Sequence, residues 1–488
     1  MSLFDPGAAA QFVAQTWRDE LIPQLHDYIA IPALSPSFDP RWEASGHIAA
    51  AVDHVGGWMA GRRLEAMTVE VQRLPGRTPL IVADIAPFGP GPHDRSTVLL
   101  YGHIDKQPEM EGWRPGLGPW TPVRDGDRLY GRGGADDGYA AYASLTALEA
   151  VHRCGGSHGR CVVLIEASEE SGSPDLAAHV EVLADRLGPV SLVLCLDSGT
   201  ASYDTVWLTT SLRGLVDGTL SVSILTEGVH SGSASGVVPS SFRIIRQLLD
   251  RVEDAASGRV LLSEANVVIP DQRVAEARAM ATAVASGVGD RFPFVPGAGP
   301  MVDDGAEALL ARTWRPTVSY IGADGLPPTG QAGNVLRPWT AVKLSMRLPP
   351  TADSLVVQQA LRSCLEADPP YGASVGFDRS EAAPGWNAPD LAPWLREAID
   401  GASLGELGRP AQLMGEGGTI PFMGMLGQRF PRAQFVVTGV LGPESNAHGP
   451  NEFLHVAYAE RLTAVMARVL DAQAAATRIA QHVPGAGG

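Results

Sequence analysis

Two short stretches of this chain combine histidine or acidic side chains with the glycines that close turns. The first is Tyr101-Gly102-His103-Ile104-Asp105, which follows an apolar run, and the second is Gly133-Gly134-Ala135-Asp136-Asp137-Gly138. Apolar runs of this kind are typical of buried strands, whose carboxyl ends deliver the next side chains to a cleft. Imidazole nitrogens and carboxylate oxygens are common ligands of divalent metals. The pattern therefore indicates a metal site.

Further acids and one more histidine occur at comparable places. Glu169-Glu170 and Asp197 each follow an apolar run, and His448 stands in a glycine-containing loop near the C-terminus. Taken singly, such a residue is more commonly a cap or a solvated turn. Taken together they form a ligand set for a pair of metals that share a carboxylate. The predicted ligands are His103, Asp136, Glu170, Asp197 and His448.

The adjacent acids Glu169 and Glu170 suggest a division of roles. Two neighbouring acids after a strand are often just a solvated turn. Here they follow the buried run Val163-Leu164-Ile165 and precede Ser171-Gly172-Ser173. If Glu170 binds metal, Glu169 is free to take a proton from the attacking water. We therefore predict Glu169 as the general base.

Strands alternate with helices over the first two hundred residues, which predicts an α/β domain with a mixed, largely parallel sheet flanked by helices. Predicted helices cover residues 8–28, 47–60 and 137–152. Predicted strands cover residues 67–74, 80–85, 97–101, 162–167 and 192–196.

The pattern changes near Arg213-Gly214, where an inserted α+β domain is predicted. Its predicted strands are 216–225, 317–321 and 339–347, and its predicted helices are 240–252 and 354–365. The chain then returns through a helix at 391–401, a strand at 435–440 and a final helix at 455–481, before a frayed tail at 484–488. A chain of 488 residues is longer than a single hydrophobic core usually organises, so two domains are expected. The expected organisation is a catalytic domain in two parts, residues 1–212 and 385–488, interrupted by an inserted domain, residues 213–384.

Composition restricts the partners and the location. The net charge of −17 is spread along the chain, which disfavours nucleic acids and anionic membranes. No run approaches the ~18 apolar residues of a membrane span. The four cysteines lack CxxC spacing and the N-terminus lacks a signal-peptide pattern, so a cytoplasmic location is expected.

Several ordered motifs resemble those of the co-catalytic zinc peptidases, the family that includes carnosinase, cytosolic non-specific dipeptidase, aminoacylase, glutamate carboxypeptidase and succinyl-diaminopimelate desuccinylase. The motifs are Tyr101-Gly102-His103-Ile104-Asp105, Gln107-Pro108, Glu111-Gly112-Trp113, Asp127-Arg128-Leu129-Tyr130-Gly131-Arg132-Gly133, Asp136-Asp137-Gly138, Glu169-Glu170-Ser171-Gly172-Ser173, His230-Ser231-Gly232, Ser345-Met346-Arg347-Leu348, Glu416-Gly417-Gly418-Thr419-Ile420-Pro421 and His448-Gly449-Pro450-Asn451-Glu452.

The resemblance implies two divalent metal ions per subunit, zinc by default, with manganese or cobalt able to replace it. His103 and Asp197 would hold one ion, Glu170 and His448 the other, and Asp136 would bridge them.

The resemblance also implies roles next to the metals. Asp105 would orient His103, and Glu169 would deprotonate the attacking water and later pass the proton to the leaving amine. A cis peptide bond is expected between Asp136 and Asp137.

The inserted domain would act as a lid and dimerisation domain. His230 would reach the active site of the partner subunit and hold the developing oxyanion, so the resemblance implies a homodimer. Arg347 would clamp a substrate carboxylate, with Asn334, Gly418 and Thr419 as further substrate contacts.

Two features favour the dipeptidase branch. Asp197 resembles the dipeptidases and aminopeptidases of the family, which have Asp at this position. The carboxypeptidases, aminoacylase and desuccinylase of the family usually have Glu there. The Gln107-Pro108 and Glu111-Gly112-Trp113 elements also resemble that branch. The expected substrates are small peptides with a free carboxylate.

Two alternatives stay open. The same machinery could hydrolyse an N-acyl or N-carbamoyl amino acid, or the chain could be a silent binding protein, which predicts loss of a ligand or of Glu169. Three positions depart from the family pattern: Lys106, usually apolar; Gly138, commonly Lys; and Thr419, commonly Ser.

Overall fold

The computed structural model describes residues 3–90, 96–284 and 292–482. It divides into two compact units, the first made of Met1–Thr210, Ala388–Met414 and Met425–Gly488, and the second of Ser211–Asn387 and Gly415–Gly424. The two units divide after Thr210 and after Asn387, and the domain borders expected after residues 212 and 384 stay a prediction. The predicted tail, 484–488, lies outside the described residues.

One segment is grouped differently from the sequence-based expectation. Gly415–Gly424 belongs to the second unit, whereas the sequence placed it in the returning catalytic segment. The reason is local hydrogen bonding: the backbone N–H of Arg213 donates to the Gly418 carbonyl, and its guanidinium donates to the Gly417 carbonyl.

A six-stranded sheet forms the centre of the first unit. Four neighbouring strands run parallel, and the two strands at one edge are joined to each other and to the rest by antiparallel pairing, which confirms the mixed, largely parallel sheet. Every residue of the strand Thr97–His103 is buried, as expected for a strand covered on both faces. The strand order is Met67–Gln72, Leu80–Ile85, Arg160–Glu166, Thr97–His103, Val190–Cys195 and Gln434–Val437.

Helices cover this sheet. The helix Tyr139–Arg153 is buried from Tyr139 to Val151 because it packs against the strand Thr97–His103 and against the helices Pro6–Thr16 and Val456–His482. Most of its residues are accordingly apolar, and the buried Glu149 is paired with Arg62. The other α-helices of the first unit are Ile22–Ile29, Trp42–Ser45, His47–Ala60, Leu176–Val182, Ala184–Leu187 and Pro393–Leu407, and the helix Pro421–Arg429 begins in the second unit and ends in the first.

The N-terminal helix is interrupted, although the sequence predicted one helix over 8–28. A wider turn at Trp17–Leu21 separates Pro6–Thr16 from Ile22–Ile29. Pro23 stands in the first turn of the second helix. Proline lacks the N–H that a regular helix needs there, so the hydrogen-bond pattern changes one turn earlier.

The second unit contains a four-stranded antiparallel sheet. Its strand order is Thr317–Asp324, Trp339–Leu348, Gly214–Ser223 and Ser374–Ala383. The helices Ser241–Leu249 and Ser354–Glu366 pack on this sheet and bury its alternating apolar residues. The unit is thus α+β, as predicted. Its other α-helices are Ser231–Ala234, Asp271–Ala283 and Gly305–Thr313.

The remaining strands are short. They are Val123–Asp125, Arg128–Tyr130, Trp207–Leu212, Val229–His230, Glu253–Asp254, Arg259–Val260, Val335–Leu336, Trp386–Asn387, Gln412–Glu416 and Phe453–His455. Within the described ranges, no helix has both the length and the apolar character required to cross a membrane.

Candidate metal centre

Three neighbouring parallel strands of the first unit carry most of the predicted ligands. His103 ends the strand Thr97–His103, which lies between Arg160–Glu166 and Val190–Cys195 in the sheet. Glu169 and Glu170 lie in the short turn after Arg160–Glu166, and Asp197 follows Val190–Cys195. Because the strands are parallel neighbours, their carboxyl ends meet at one edge.

The five predicted metal ligands are brought together within this unit. Nε2 of His103 lies 3.4 Å from Oδ1 of Asp136 and 3.8 Å from Oδ2 of Asp197. Nε2 of His448 lies 2.9 Å from Oδ2 of Asp136 and 3.4 Å from Oε2 of Glu170. The two oxygens of Asp136 therefore face one imidazole each.

Burial dominates the electrostatics of the cluster. It raises the pKa of Glu170 to about 8 and that of Asp197 to about 6, and the charge of Asp136 adds to both shifts. Burial also acts to raise the pKa of Asp136, but His103 and His448 hold it below its usual range. Burial opposes protonation of His448, yet Asp136 and Glu170 raise its pKa to about 9. The cluster thus concentrates negative charge.

The residues present fit a pair of divalent metal ions. His103, Asp136 and Glu170 offer ligand atoms within 4.8 Å of one another, and so do His103, Asp137 and Asp197. Nε2 of His103 is buried and has no hydrogen-bond partner among the described residues. Divalent cations would offset the repulsion among these carboxylates and occupy that nitrogen.

Asp137 is a neighbour of the cluster to which the sequence assigned no role. Both of its carboxylate oxygens are buried without a hydrogen-bond partner in the described part of the chain, and burial raises its pKa. A Cβ at Gly102 would come within 2.8 Å of Oδ2 of Asp137, so this close approach requires glycine. The peptide bond between Asp136 and Asp137 is cis, as predicted.

Asp105 contacts more than the histidine it was predicted to orient. Its Oδ1 lies 3.5 Å from Nδ1 of His103, which is also 3.1 Å from the backbone oxygen of Asp105. The carboxylate accepts hydrogen bonds from the backbone N–H groups of Glu169 and Glu170, both at 3.0 Å. Asp105 therefore fixes the turn that carries the predicted base and a predicted ligand.

Gln107 is a second contact that sequence reasoning missed. Its Nε2 donates to Oε2 of Glu170 over 2.7 Å. The only sequence signal was its place in the Gln107-Pro108 motif, to which no role was assigned. Orienting a ligand through a neighbouring hydrogen bond is a common way to tune a metal site.

A buried ion pair joins the loops that carry Asp136 and His448. Arg132 pairs with Glu452 in the interior, and Nη2 of Arg132 donates to the Gly449 carbonyl over 3.0 Å. Oε1 of Glu452 accepts from the backbone N–H of Gly133 at 2.9 Å. The pair therefore holds the two ligand-bearing loops together.

We expect Glu452→Gln to lower metal affinity about 10- to 100-fold, because loss of the charge loosens the loop that carries His448. The measurement is the amount of metal that the protein retains at increasing concentrations of a chelator, determined by mass spectrometry. The matched control is Glu444→Gln, which removes an exposed acid from the same loop, paired with Arg128 at 2.6 Å. Equal affinity in the two variants would contradict this role of Glu452.

The predicted substrate residues form two groups in the second unit. Nη1 of Arg347 donates to Oγ1 of Thr419 over 2.8 Å, and Gly418 immediately precedes that threonine. The other group is a two-stranded ribbon in which His230 pairs with Val335, and Ser231 N–H donates to the Asn334 carbonyl over 2.9 Å. His230 is exposed, and its Nδ1 accepts from the Gly232 N–H at 3.1 Å.

Comparison with known proteins decides the family. Residues 99–472 match the model of the peptidase family M20/M25/M40. The chain belongs to this family. It is therefore an enzyme of a hydrolytic, metal-dependent class, in agreement with the resemblance seen in the motifs.

Relatives within the M20/M25/M40 family match most of the chain. The cysteinylglycine-S-conjugate dipeptidase of Corynebacterium striatum is 27% identical over 427 residues, covering 83% of this chain and 87% of that protein. The β-Ala-His dipeptidase of Mus musculus is 26% identical over 361 residues, covering 72% of this chain and 71% of that protein. Among solved structures, the dipeptidase Dug1p of Saccharomyces cerevisiae has a TM-score of 0.74 at 21% identity, covering 97% of this chain and 99% of that one. That structure supports the fold.

Proposed function

We propose that this M20/M25/M40 family member hydrolyses the amide bond of dipeptides with a free carboxylate, using two divalent metal ions and Glu169 as general base. The observation that carries the proposal is the position of Asp136 between His103 and His448, with one carboxylate oxygen toward each imidazole. The dipeptidase activities named for both sequence relatives support the substrate class.

The proposed ligand assignment follows the contacts. His103 and Asp197 would hold one ion, Glu170 and His448 the other, and Asp136 would contact both. When bound, the ions would polarise the scissile carbonyl and lower the pKa of the attacking water towards ~7. Zinc suits this donor set, and manganese or cobalt can replace it.

Glu169 is suited to move the proton. Burial, and next the charge of Asp197, raise its pKa, which makes the carboxylate a stronger base than a solvated glutamate. Asp105 fixes its backbone. In the proposed reaction Glu169 accepts a proton from water and then donates it to the leaving amine.

The second unit would recognise the rest of the substrate. Among the residues that the structure describes, Arg347 donates one hydrogen bond, to Thr419, so its planar guanidinium retains N–H groups for a two-pronged contact with a carboxylate. Asn334, Gly418 and Thr419 would add contacts. We further propose a homodimer in which His230 serves the active site of the other subunit, since its ring is exposed on the ribbon.

The proposed location is the cytoplasm. Cys154, Cys161, Cys195 and Cys364 are free thiols. Unpaired cysteines suit a reducing compartment.

The test is hydrolysis by protein stripped of metal and reloaded with zinc or manganese, with released amino acids measured by mass spectrometry. The panel contains dipeptides and N-acyl and N-carbamoyl amino acids. We expect release from dipeptides that depends on added metal and is absent from the stripped protein. Release only from the N-acyl or N-carbamoyl compounds would replace dipeptidase by amidohydrolase activity, and no release at all would contradict both.

A further inference from the structure

Arg213 contacts the loop that carries Thr419. We call residues 417–419 the clamp loop. The backbone N–H of Arg213 donates to the Gly418 carbonyl at 3.0 Å, and its Nε donates to the Gly417 carbonyl at 3.0 Å. Two bonds from one residue therefore fix the clamp loop directly before Thr419.

The guanidinium of Arg213 also contacts the strand that pairs with the strand of Arg347. Nη1 of Arg213 donates to Oγ1 of Thr317 over 3.2 Å. Thr317 stands directly opposite Arg347 in the antiparallel sheet. Since Arg347 in turn donates to Thr419, these contacts close a ring that includes the clamp loop. A shift of Arg213 would move Thr419 relative to Arg347.

The charges around Arg213 favour an anion. Among the described residues Arg213 forms no ion pair, and burial, followed by the charges of Arg347 and Arg312, lowers its pKa to about 10. In the described part of the chain, the carboxylate paired with these arginines is that of Glu416, 3.9 Å from Nη2 of Arg312. Partly buried cations that lack a counter-charge are costly. A substrate carboxylate bound by Arg347 would relieve this repulsion.

We infer that Arg213 is a positioning residue for carboxylate recognition: it holds the clamp loop against Arg347 and thereby sets the affinity for substrates with a free carboxylate. The inference rests on the proposed function. Lysine cannot replace Arg213, because a single ammonium lacks the planar fork whose Nε and Nη1 reach Gly417 and Thr317 together.

The experiment compares the dipeptide that is hydrolysed fastest with the same dipeptide carrying a C-terminal primary amide. We expect the parent enzyme to prefer the free carboxylate by at least about tenfold in kcat/KM, as for loss of a charged hydrogen bond. In Arg213→Lys, KM for the dipeptide should rise about tenfold with kcat nearly unchanged, while kcat/KM for the amide stays at the parent value. The preference for the carboxylate should therefore fall about tenfold.

The controls separate positioning from general damage. Arg362→Lys alters a half-exposed arginine of the same unit, paired with Glu366, and should keep the parent preference. Thr317→Val removes one partner of Arg213 without changing any charge, and should lower the preference about threefold, less than a full charged hydrogen bond, because the two bonds from Arg213 to the clamp loop remain. This variant keeps the inference testable if Arg213→Lys folds poorly.

The outcomes are distinguishable. If the parent enzyme cleaves the dipeptide and its amide equally well, the proposed recognition of a free carboxylate is wrong, and the role of Arg213 is wrong with it. If the parent discriminates while Arg213→Lys and Thr317→Val keep its preference, only the positioning role is overturned. An equal loss on both substrates would indicate a structural role and would also overturn the inference.

Discussion

Glu169→Gln is expected to lower kcat by about 10²- to 10⁴-fold, the usual contribution of a general base, while both metal ions stay bound. Glutamine keeps the size of the side chain but cannot accept the proton of the attacking water. The backbone contact with Asp105 involves only the N–H of residue 169, so the turn that carries Glu170 should be kept. The measurements are steady-state kinetics and metal content by mass spectrometry.

A matched variant tests whether this loss is specific. Glu65 is an exposed glutamate of the first unit, and Glu65→Gln should leave both turnover and metal content at parent values. Turnover of Glu169→Gln within about threefold of the parent would remove Glu169 as the base. A loss of turnover accompanied by a loss of metal would instead assign Glu169 to metal binding.

Asp136→Asn is expected to abolish measurable turnover and to prevent tight binding of both ions. The two oxygens of Asp136 face His103 and His448, so its change affects both proposed metal positions. An amide offers a neutral oxygen and an N–H group, which is a poor bridge between two cations. Metal content after dialysis should fall from two ions per subunit to below one.

Thermal unfolding provides an independent readout. A ligand at about 1,000 times its dissociation constant stabilises a protein by about 4 kcal/mol, so zinc should raise the Tm of the stripped parent clearly. That rise should be absent in Asp136→Asn and intact in the exposed control Asp125→Asn. Two tightly bound ions in Asp136→Asn would rule out the shared-carboxylate arrangement.

Much of the candidate site was predictable because its residues follow buried strands. His103, Glu170 and Asp197 each come after an apolar run, and parallel neighbouring strands end at the same edge. Local sequence was less informative about supporting contacts. Arg132 and Glu452 are 320 positions apart, and no local sequence pattern indicates that they form an ion pair.

The helices and strands that were missed lack a strong pattern. Asp271–Ala283 contains mostly alanine and charged residues, so it has no clear apolar stripe. Gly305–Thr313 packs against that helix, and Ser374–Ala383 is an edge strand that is largely half-buried or exposed. Their structure depends on the neighbours they pack against.

Two departures from the family pattern meet at one aromatic ring. A Cβ at Gly138 would come within 2.1 Å of the Tyr28 ring, which leaves no room for a side chain there. The ammonium of Lys106 lies 4.0 Å from the centre of the same ring and donates to the carbonyls of Tyr28 and Ile31, both at 2.8 Å. Lys106 thus closes the end of the helix Ile22–Ile29, which explains a buried lysine at a position that is usually apolar.

The order of residues along the chain is enough to predict the chemistry of this protein, because it shows which imidazoles and carboxylates follow buried strands and which family they resemble. How those groups are held becomes visible only in the folded chain. Asp105 accepts hydrogen bonds from the turn of Glu169, Arg132 donates one to the loop of His448, and Arg213 donates one to the clamp loop. Strand ends are local properties of apolar runs, whereas these hydrogen bonds join segments that become neighbours only when the chain folds.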